Sequence, residues 1–261
     1  MKNIIDAIII LVKQNEINLK SNQIGNNRAN IAGYALEDYV KNLFADTFDC
    51  SETEKLQKWS EVFSYLGNNS NPPDIMLKNG DAIEVKKIES DDSAIALNSS
   101  YPKHTLLRTN LMISNACRES ENWTEKDMIY AVGVVKNNKL KHFCMIYGRN
   151  YCASDECYEE YKKTKIIDPL QITHFKPNGT WYIENPWTVF NYVYERDMNA
   201  NFNFMCLIDD LKWNQLSNIN ELLKIQSDYT NLKISNVKIK NPDNPVVLES
   251  AKLITYCIEA L

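Results

Sequence analysis

Residues 71–87, NPPDIMLKNGDAIEVKK, constrain the fold of this chain more than any other segment. A short apolar run, an Asn-Gly turn signal and an alternating run follow one another, and this order is typical of a β-hairpin. Side chains alternate along a strand, so Glu84 and Lys86 share one face while Ile83 and Val85 share the other. The segment therefore predicts a hairpin with one apolar face and one charged face.

The length of the turn decides whether this division of faces holds across both strands. A two-residue Asn-Gly loop would pair Ile75 with Glu84 and mix apolar with charged side chains. A three-residue loop over 78–80 pairs Ile75 with Ile83 and keeps the faces separate. We predict this longer loop, with Gly80 in the left-handed conformation that typically ends such turns.

In this register Asp74 stands opposite Glu84, and both carboxylates project to the same side as Lys86. Cross-strand neighbours lie about 5 Å apart, and two carboxylates at that distance repel unless a cation lies between them. Mg²⁺ prefers carboxylate oxygens, keeps part of its water shell and binds phosphate. A lysine beside it could orient or deprotonate the attacking water, or stabilise the oxyanion. The segment predicts phosphodiester hydrolysis with Asp74, Glu84 and Lys86 as catalytic residues.

The composition sets limits on the class of protein. The 261 residues are 44% hydrophobic and 24% charged, which is ordinary for a globular protein with a sizeable core. The net charge of −5 does not favour nucleic-acid binding, but such binding needs only a local basic patch. Seven scattered cysteines without a C-x-x-C pair predict no disulfide framework and favour a cytoplasmic location. The apolar N-terminal run is too short to span a membrane and has helical spacing, so we expect a docking helix.

The remaining periodicities predict an α/β fold. Expected helices cover an N-terminal segment through Val12, residues 30–46, 51–65, 152–165 and 220–227, and a closing segment from 248. Expected strands, besides the hairpin, cover residues 128–136, 140–147, 179–195 with a break at Pro186, and 231–240. No Pro-, Gly- or Ser-rich linker divides the chain, so residues 1–261 are expected to form one domain. We predict a central mixed β-sheet flanked by helices.

A Pro-Asp pair at 73–74, nine further residues and Glu-Val-Lys at 84–86 resemble the PD-(D/E)xK signature of the restriction-endonuclease-like nucleases. The longer stretches AGYALEDYVKNLFADTF, FSYLGNNSNPPDIML, GDAIEVKKIES and ALNSSYPK resemble the NgoPII family of type II restriction endonucleases, over at least residues 32–103. The resemblance implies a restriction-endonuclease-like fold and Mg²⁺-dependent cleavage of double-stranded DNA at the palindrome GGCC, with 5′-phosphate ends. It also implies a homodimer and a cognate DNA methyltransferase.

The resemblance assigns roles to residues outside the catalytic three. The residue between the glutamate and the lysine, here Val85, would lend its backbone carbonyl to the metal, and an upstream helix would contribute Glu37.

A polar loop over residues 90–104 follows the hairpin, and such a loop could contact phosphates or bases, although loops are also polar because they are solvated. The candidate DNA contacts are Lys87, Asn98, Ser99, Ser100, Tyr101, Lys103, His104, Arg108, Arg118 and Arg149.

Two other functions stay open on sequence alone. A structure-specific nuclease of DNA repair or recombination would share the metal site and cut without regard to sequence. A non-catalytic DNA-binding module would carry the hairpin charges as a surface ion pair, which is worth ~0–1 kcal/mol. Metal-dependent cleavage at a defined site separates a restriction enzyme from both.

Overall fold

The computed structural model describes residues 1–19, 28–68, 70–97, 99–164, 170–244 and 248–260, without the side chains of 28–31. The helices within these residues are α1 (Ile4–Gln14), α2 (Arg28–Ala45), α3 (Glu52–Val62), α4 (Asn115–Glu119), α5 (Asp155–Thr164), α6 (Pro186–Val189), α7 (Asp210–Trp213) and α8 (Ile219–Gln226). The strands are β1 (Phe63–Tyr65), β2 (Ile75–Leu77), β3 (Ala82–Ile88), β4 (Ile95–Ala96), β5 (Thr105–Leu107), β6 (Glu125–Lys136), β7 (Lys139–Tyr147), β8 (Thr173–Phe175), β9 (Trp181–Ile183), β10 (Phe202–Asp209), β11 (Leu232–Ile239) and β12 (Glu249–Ile258).

A mixed sheet of nine strands forms the centre of the described structure. Eight of them follow the order β1-β2-β3-β6-β7-β10-β12-β11, and β5 pairs with the start of β6. β3 runs parallel to β6 and β7 runs parallel to β10, whereas the other neighbours along this order are antiparallel. This arrangement, with helices packed against the sheet, confirms the predicted α/β class and is consistent with a restriction-endonuclease-like fold.

The N-terminal helices cover one face of the sheet. At the start of α1, the Asn3 side chain accepts from a backbone N–H, and Asp6 accepts from the Asn3 N–H at 2.9 Å. The predicted apolar stripe of α1 is buried, which confirms a docking helix. α2 approaches β6 so closely that a Cβ on Gly133 would lie 2.8 Å from Leu36. This close packing places α2, which carries Glu37, over the strand beside β3.

Within the described residues, no helix is both long and apolar enough to cross a membrane.

Connecting segments cover the opposite face. The short sheet β4-β9-β8 lies there, with buried Tyr158, Trp181 and Trp187 in a second apolar cluster. Because both faces of the central sheet are covered, all eight residues of β10 are buried. Strands in such a position read as continuous apolar runs and lack the alternation typical of half-exposed strands.

The structure corrects the sequence-based elements at three places. The closing segment is strand β12, not a helix, because it pairs with β10 on one side and β11 on the other. Pro186 does not interrupt a strand; it begins α6 after the N-cap Asn185, where its missing N–H leaves no bond unmade. The helix expected over 51–65 ends at Val62, because the next residues pair with β2 as β1.

Candidate active site

β2 and β3 form the predicted hairpin in the predicted register. Ile75 pairs with Ile83, and the N–H of Leu77 donates to the carbonyl of Asp81 at 3.0 Å. Residues 78–80 therefore form the three-residue loop. The apolar face is confirmed, because its side chains belong to the core cluster under α1 and α2: Ile75, Leu77, Ile83 and Val85. The opposite face is not charged throughout, because Met76 and Ala82 are buried there in a second apolar cluster.

The conformation of the turn differs from the prediction. Asn79, with φ 55°, is the left-handed residue, and Gly80 is not. Glycine relieves crowding at 80, because a Cβ there would lie 3.0 Å from the Cβ of Leu77. The buried Lys126 ammonium donates to the carbonyl of Gly80 at 2.6 Å, and Glu121 accepts from the Asn79 N–H at 2.8 Å. Long-range contacts thus hold a turn conformation that local sequence preference predicted wrongly.

Asp74 is held through both its main chain and its side chain. Its N–H donates to the Ile83 carbonyl at 3.1 Å, and its Oδ2 accepts from the Val85 N–H at 2.7 Å. The Asp74 carboxylate thus bonds to the main chain of β3 at a position that lies just before the start of β2. Behind it, Gly67 has φ 81°, and a Cβ there would lie 2.3 Å from the Asp74 carbonyl oxygen. Gly67 therefore permits the close approach that positions Asp74.

Glu84 and Lys86 lie together on β3. The Lys86 Nζ is 2.5 Å from the Glu84 Oε1, and the side chains are 20% and 12% exposed for Lys86 and Glu84, respectively. The other carboxylate oxygen of Glu84, Oε2, is buried and has no hydrogen-bond partner among the described residues. A buried carboxylate oxygen in this position favours a cation or a hydrogen-bond donor as its partner.

The protonation states of these three groups depend on one another. Burial, followed by the charge of Glu84, raises the pKa of Asp74 to about 8. Burial alone would lower the pKa of Lys86, but the Glu84 and Asp74 carboxylates outweigh it and hold that pKa above its usual value. Lys86 is therefore an ammonium near neutral pH, and a metal cation entering the site competes with the proton on Asp74.

Glu37 reaches the same electrostatic environment from α2. Burial raises the pKa of Glu37, Lys41 opposes that rise, and the charges of Lys86 and Glu84 also act on it. The Glu37 carboxylate in turn contributes to the raised pKa of Asp74. The structure therefore brings the upstream glutamate near the hairpin acids, as the family resemblance implies.

The end of the polar loop is built into the protein interior. Tyr101 is 6% exposed and stacks on Tyr158 with ring centroids 5.1 Å apart. The N–H of Lys103 donates to the Tyr130 hydroxyl at 2.6 Å, and Tyr130 is the β6 partner of Glu84. The Lys103 Nζ is buried 3.4 Å from the Tyr101 ring centroid, without a hydrogen-bond partner in the described part of the chain. Burial lowers its pKa to about 8. Tyr101 and Lys103 thus lie inside the protein and not on an open surface.

Other candidate DNA contacts are more accessible. Ser99 is exposed, while Ser100 and His104 are half-buried. Burial, followed by the charge of Arg149, lowers the pKa of His104. Lys87 forms a 2.7 Å ion pair with an exposed glutamate two residues along. The prediction for Asn98 lies outside the described residues.

The arginines differ in how their donors are used. The Arg108 Nε donates to the Arg118 carbonyl at 3.1 Å, and the Arg118 Nε donates to the Arg108 carbonyl at 3.3 Å. These two side chains therefore hold each other's main chain. Arg149 lies 4.0 Å from Asp127 and lines a cavity of about 400 Å³.

Comparisons with known proteins support the same conclusion as the hairpin. A family model described as NgoPII restriction endonuclease matches residues 2–166 and 159–240. The chain belongs to the NgoPII restriction endonuclease family. Among its relatives, the type II restriction enzyme NgoPII of Neisseria gonorrhoeae is 52% identical over 277 residues, covering 97% of this chain and 99% of the relative. No solved structure gave a significant match.

Membership of the NgoPII family establishes the reaction class. This chain is a type II restriction endonuclease, a site-specific deoxyribonuclease whose substrate is DNA. The two rival functions, a structure-specific repair nuclease and a non-catalytic DNA-binding module, are thereby set aside. The geometry of the hairpin can now be considered as part of a nuclease.

Enzymes of this class generally use a divalent metal, and the acidic side chains fit a particular kind of site. Within the described residues, no three histidine, cysteine or acidic side chains are grouped closely enough to hold a metal by themselves. Mg²⁺, however, usually keeps several waters and takes one or two carboxylates together with substrate phosphate. Asp74 and Glu84, with the unpartnered Oε2 of Glu84, fit this smaller donor set.

Sequence reasoning missed a buried ion network at the start of β3. The Lys212 Nζ lies 2.8 Å from the Asp81 Oδ1 and 2.6 Å from the Asp127 Oδ2. The Tyr147 hydroxyl donates to the other Asp81 oxygen at 2.9 Å. These residues come from four separate segments, so no local pattern could have predicted the network. Asp81 directly precedes β3, and the network therefore fixes the start of the strand that carries Glu84.

Replacement Lys212→Met is expected to destabilise the protein by about 3–5 kcal/mol, because two poorly solvated carboxylates lose their shared cation. Urea unfolding at pH 7.5 measures the change. Lys13→Met is the matched control, because Lys13 and its partner Glu221 are 44% and 51% exposed. The control is expected to change stability by less than ~1 kcal/mol. Equal effects of the two substitutions would contradict a structural role for the network.

Proposed function

We propose that this type II restriction endonuclease hydrolyses double-stranded DNA at GGCC with Mg²⁺ held between Asp74 and Glu84, leaving 5′-phosphate ends. The catalytic part of this proposal rests on one observation: Asp74, Glu84 and Lys86 are grouped at β3, just before the start of β2. The Glu84 Oε2 there lacks a partner among the described residues. The family resemblance supplies the sequence GGCC. The restriction-endonuclease-like domain is proposed to span residues 1–261.

Asp74, Glu84 and the Val85 main chain are the proposed metal ligands. The Val85 N–H points at Asp74, and the N–H and C=O of a strand residue face the same neighbouring strand. The Val85 carbonyl therefore faces the edge where both acids stand. When bound there, Mg²⁺ would neutralise the scissile phosphate and lower the pKa of a coordinated water.

Lys86 is proposed to act as a hydrogen-bond donor. Its raised pKa keeps the ammonium protonated, which favours orienting the water or stabilising the phosphorane oxyanion over proton abstraction. Its contact with Glu84 at 2.5 Å fixes the ammonium beside the metal ligand. Glu37 is proposed to accept hydrogen bonds from metal-bound water, as an outer ligand does.

Glu37→Gln is expected to reduce the cleavage rate at subsaturating Mg²⁺ by about 10- to 100-fold, the usual effect of losing an outer-shell partner. Single-turnover cleavage across a Mg²⁺ series measures the change. Asp38→Asn is the matched control, because Asp38 is the next acid on α2 and pairs with Lys41 at 3.4 Å. If both variants keep the wild-type Mg²⁺ dependence, Glu37 has no part in the metal site.

The DNA contacts and the assembly are also proposals. Lys87, His104 and Arg149 supply cationic or polar groups, and Ser99 and Ser100 supply hydroxyls on the accessible part of the loop. Reading of guanine in the major groove favours arginine, which makes Arg108, Arg118 and Arg149 the candidates for that role. A palindromic site suits a two-fold symmetric reader, so we propose a homodimer with one active centre per strand. A cognate methyltransferase would protect the host at the same sites.

Cleavage of unmethylated plasmid DNA of known sequence tests the specificity. We expect discrete fragments that map to GGCC positions, formed with Mg²⁺ and abolished by EDTA. DNA methylated at GGCC by a cognate enzyme is the matched control and should resist cutting. Fragments that map to another sequence would contradict GGCC while keeping the nuclease site, and cleavage unaffected by EDTA would contradict the metal.

A further inference from the structure

The Lys103 side chain places an ammonium in the protein interior. Lys103 is 1% exposed, and its Nζ has no hydrogen-bond partner among the residues that the structure describes. The Nζ lies 3.4 Å from the centroid of the Tyr101 ring, and an aromatic face offsets part of the cost of burying a cation. Incompletely paired buried charges are found mostly at functional sites, which favours a role for Lys103 beyond the stability of the fold.

The main chain of Lys103 is fixed beside the strand that carries the catalytic glutamate. Its N–H donates to the Tyr130 hydroxyl at 2.6 Å, and Tyr130 on β6 is the register partner of Glu84 on β3. Side chains of directly paired residues on neighbouring strands project to the same face of a sheet. Tyr130 therefore holds Lys103 on the face of the sheet from which Glu84 projects.

Glu84 and Lys103 carry opposite charges, and each has a buried atom without a partner among the described residues. Lys86 contacts the Oε1 of Glu84, whereas the Oε2 of Glu84 is one of these unpartnered atoms. Burial lowers the pKa of Lys103, and the charges of Asp155 and Glu84 oppose that lowering. The field of Glu84 thus reaches the interior ammonium, and a poorly solvated region screens such an attraction less than a surface does.

Asp155, at the start of α5, is the competing counter-ion. Its Oδ2 accepts from the Asn110 Nδ2 at 3.1 Å, so this carboxylate already holds the loop that precedes α4. Its Oδ1 is buried and, within the described parts of the chain, also lacks a hydrogen-bond partner. Lys103 is therefore attracted by two carboxylates and is bonded to neither. A structural ion pair with Asp155 is the alternative that an experiment has to separate from an action on Glu84.

We propose that Lys103 is a positioning residue of the active site, whose ammonium acts on the Glu84 carboxylate from within the protein. An ammonium near a ligand carboxylate reduces the negative charge offered to a bound Mg²⁺, which preserves the acidity of a coordinated water. This effect on the reaction rests on the proposed role of Glu84 as a metal ligand. The attraction between the two side chains does not, and it can be measured on the metal-free protein.

A double-mutant cycle on the metal-free protein tests the attraction. Lys103→Met is combined with Glu84→Gln, and urea unfolding is measured in EDTA at pH 7.5. We expect the effect of Lys103→Met on the unfolding equilibrium constant to differ at least about fivefold between the two backgrounds, because only a charged Glu84 attracts the ammonium. Methionine has a similar volume and replaces a group without hydrogen bonds, so the variant is expected to fold. Lys103→Gln serves in the same cycle as a polar substitute.

The same cycle with Asp155→Asn tests the alternative. Asparagine keeps an oxygen that can accept from Asn110, so the contact with the loop survives. Coupling of Lys103 to Asp155 without coupling to Glu84 would overturn the proposal and leave a structural ion pair. Additive effects in both cycles would overturn it as well.

Metal affinity separates an action on Glu84 from a general disturbance of the fold. In the Lys86→Ala background, with an uncut duplex carrying the site that the wild type cuts, Lys103→Met is expected to tighten Mn²⁺ binding about two- to tenfold, because a nearby positive charge is lost. With Lys86 intact and Mg²⁺ saturating, it is expected to slow single-turnover cleavage about 10- to 100-fold. Weaker Mn²⁺ binding would indicate a disturbed site and would overturn the proposal.

Lys162→Met is the matched control. The Lys162 Nζ lies 4.6 Å from the centroid of the same Tyr101 ring, but its side chain is 38% exposed and pairs with Glu159 at 3.0 Å. This variant should show no coupling to Glu84 and should leave Mn²⁺ affinity and cleavage unchanged. Equal effects of the two lysine substitutions would contradict a specific role for Lys103.

Failure of the proposed function gives a different result. If Glu84→Gln leaves the Mn²⁺ affinity unchanged while the cycle with Lys103 stays non-additive, the assignment of Glu84 as a metal ligand is wrong. That outcome still supports the action of Lys103 on Glu84, whereas an additive cycle overturns that action whatever the metal ligands are.

Discussion

Replacement Lys86→Ala is expected to lower the single-turnover cleavage rate by at least about 10²- to 10³-fold, the usual effect of removing one donor to a developing oxyanion. Lys86 is the ammonium nearest to the hairpin acids, 2.5 Å from Glu84. Its loss should change the affinity for DNA much less than the rate, because its role is confined to the reacting phosphate. Quench-flow cleavage and equilibrium binding of the same duplex measure the two quantities separately.

The neighbouring lysine provides the matched control. Lys87 points to the other side of β3 and pairs with an exposed glutamate, so Lys87→Ala should change the cleavage rate by less than about tenfold and act mainly through DNA affinity. Lys86→Arg, which keeps the charge but changes the donor geometry, should recover only part of the rate. Equal losses for Lys86→Ala and Lys87→Ala would contradict the assignment of Lys86 to the reaction centre.

Asp74→Asn is expected to abolish detectable cleavage and, at the same time, to stabilise the metal-free protein at alkaline pH. The first effect follows from the loss of a proposed metal ligand. The second follows from the raised pKa of Asp74, because the ionised carboxylate is unfavourable beside Glu84 in a poorly solvated site. The asparagine Oδ1 can still accept from the Val85 N–H. The variant therefore removes charge without removing the main-chain contact.

The pH dependence has a definite sign. The pKa of Asp74 is about 8 in the folded protein, against an ordinary value of 3.8. Between these values the folded state binds more protons at this group than the unfolded state, so stability falls as pH rises and the full penalty is present above pH 8. The Asp74→Asn variant carries no such penalty, and its expected advantage over wild type in EDTA grows from near zero at about pH 4 to roughly 5 kcal/mol at about pH 8.5, because each unit of pKa shift is worth about 1.4 kcal/mol.

Urea unfolding of wild type and Asp74→Asn from pH 5 to pH 8.5, in EDTA and in Mg²⁺, measures both effects. Mg²⁺ should stabilise the wild type more as pH rises, because the metal and the proton compete for Asp74, and it should stabilise the variant much less. A stability difference that is constant across this pH range would contradict the raised pKa. Equal stabilisation by Mg²⁺ would contradict the ligand assignment.

The register of the hairpin could be predicted because only one pairing keeps Ile75 and Ile83 on the apolar face. Strand alternation and the burial of one face are local facts, and together they place Asp74 opposite Glu84. The detail that failed, the left-handed residue, depends on Lys126 and Glu121, which reach the turn from more than 40 positions away. Local turn preferences contain no information about such contacts.

The C-terminal half of the sheet was harder to predict for a different reason. β10 is buried on both faces and shows no alternation, and β12 is an apolar segment whose length also suits a helix. β10 is a strand because it pairs with β7, and β12 is a strand because it pairs with β11. Pairing between segments so far apart in the sequence is a tertiary property. Likewise, the polar composition of the loop suggested DNA contacts at Tyr101 and Lys103, but packing against Tyr158 and Tyr130 places both inside.

Binding of Mn²⁺, followed by electron paramagnetic resonance, tests the central claim most directly. The Lys86→Ala protein and the Lys86→Ala, Glu84→Gln double variant are each titrated in the presence of the uncut GGCC duplex. The account predicts that the first protein binds Mn²⁺ and that the double variant loses at least about tenfold in affinity, as expected when a metal ligand is removed. Equal Mn²⁺ affinity of the two proteins, with equal DNA binding, would show that the metal site lies elsewhere.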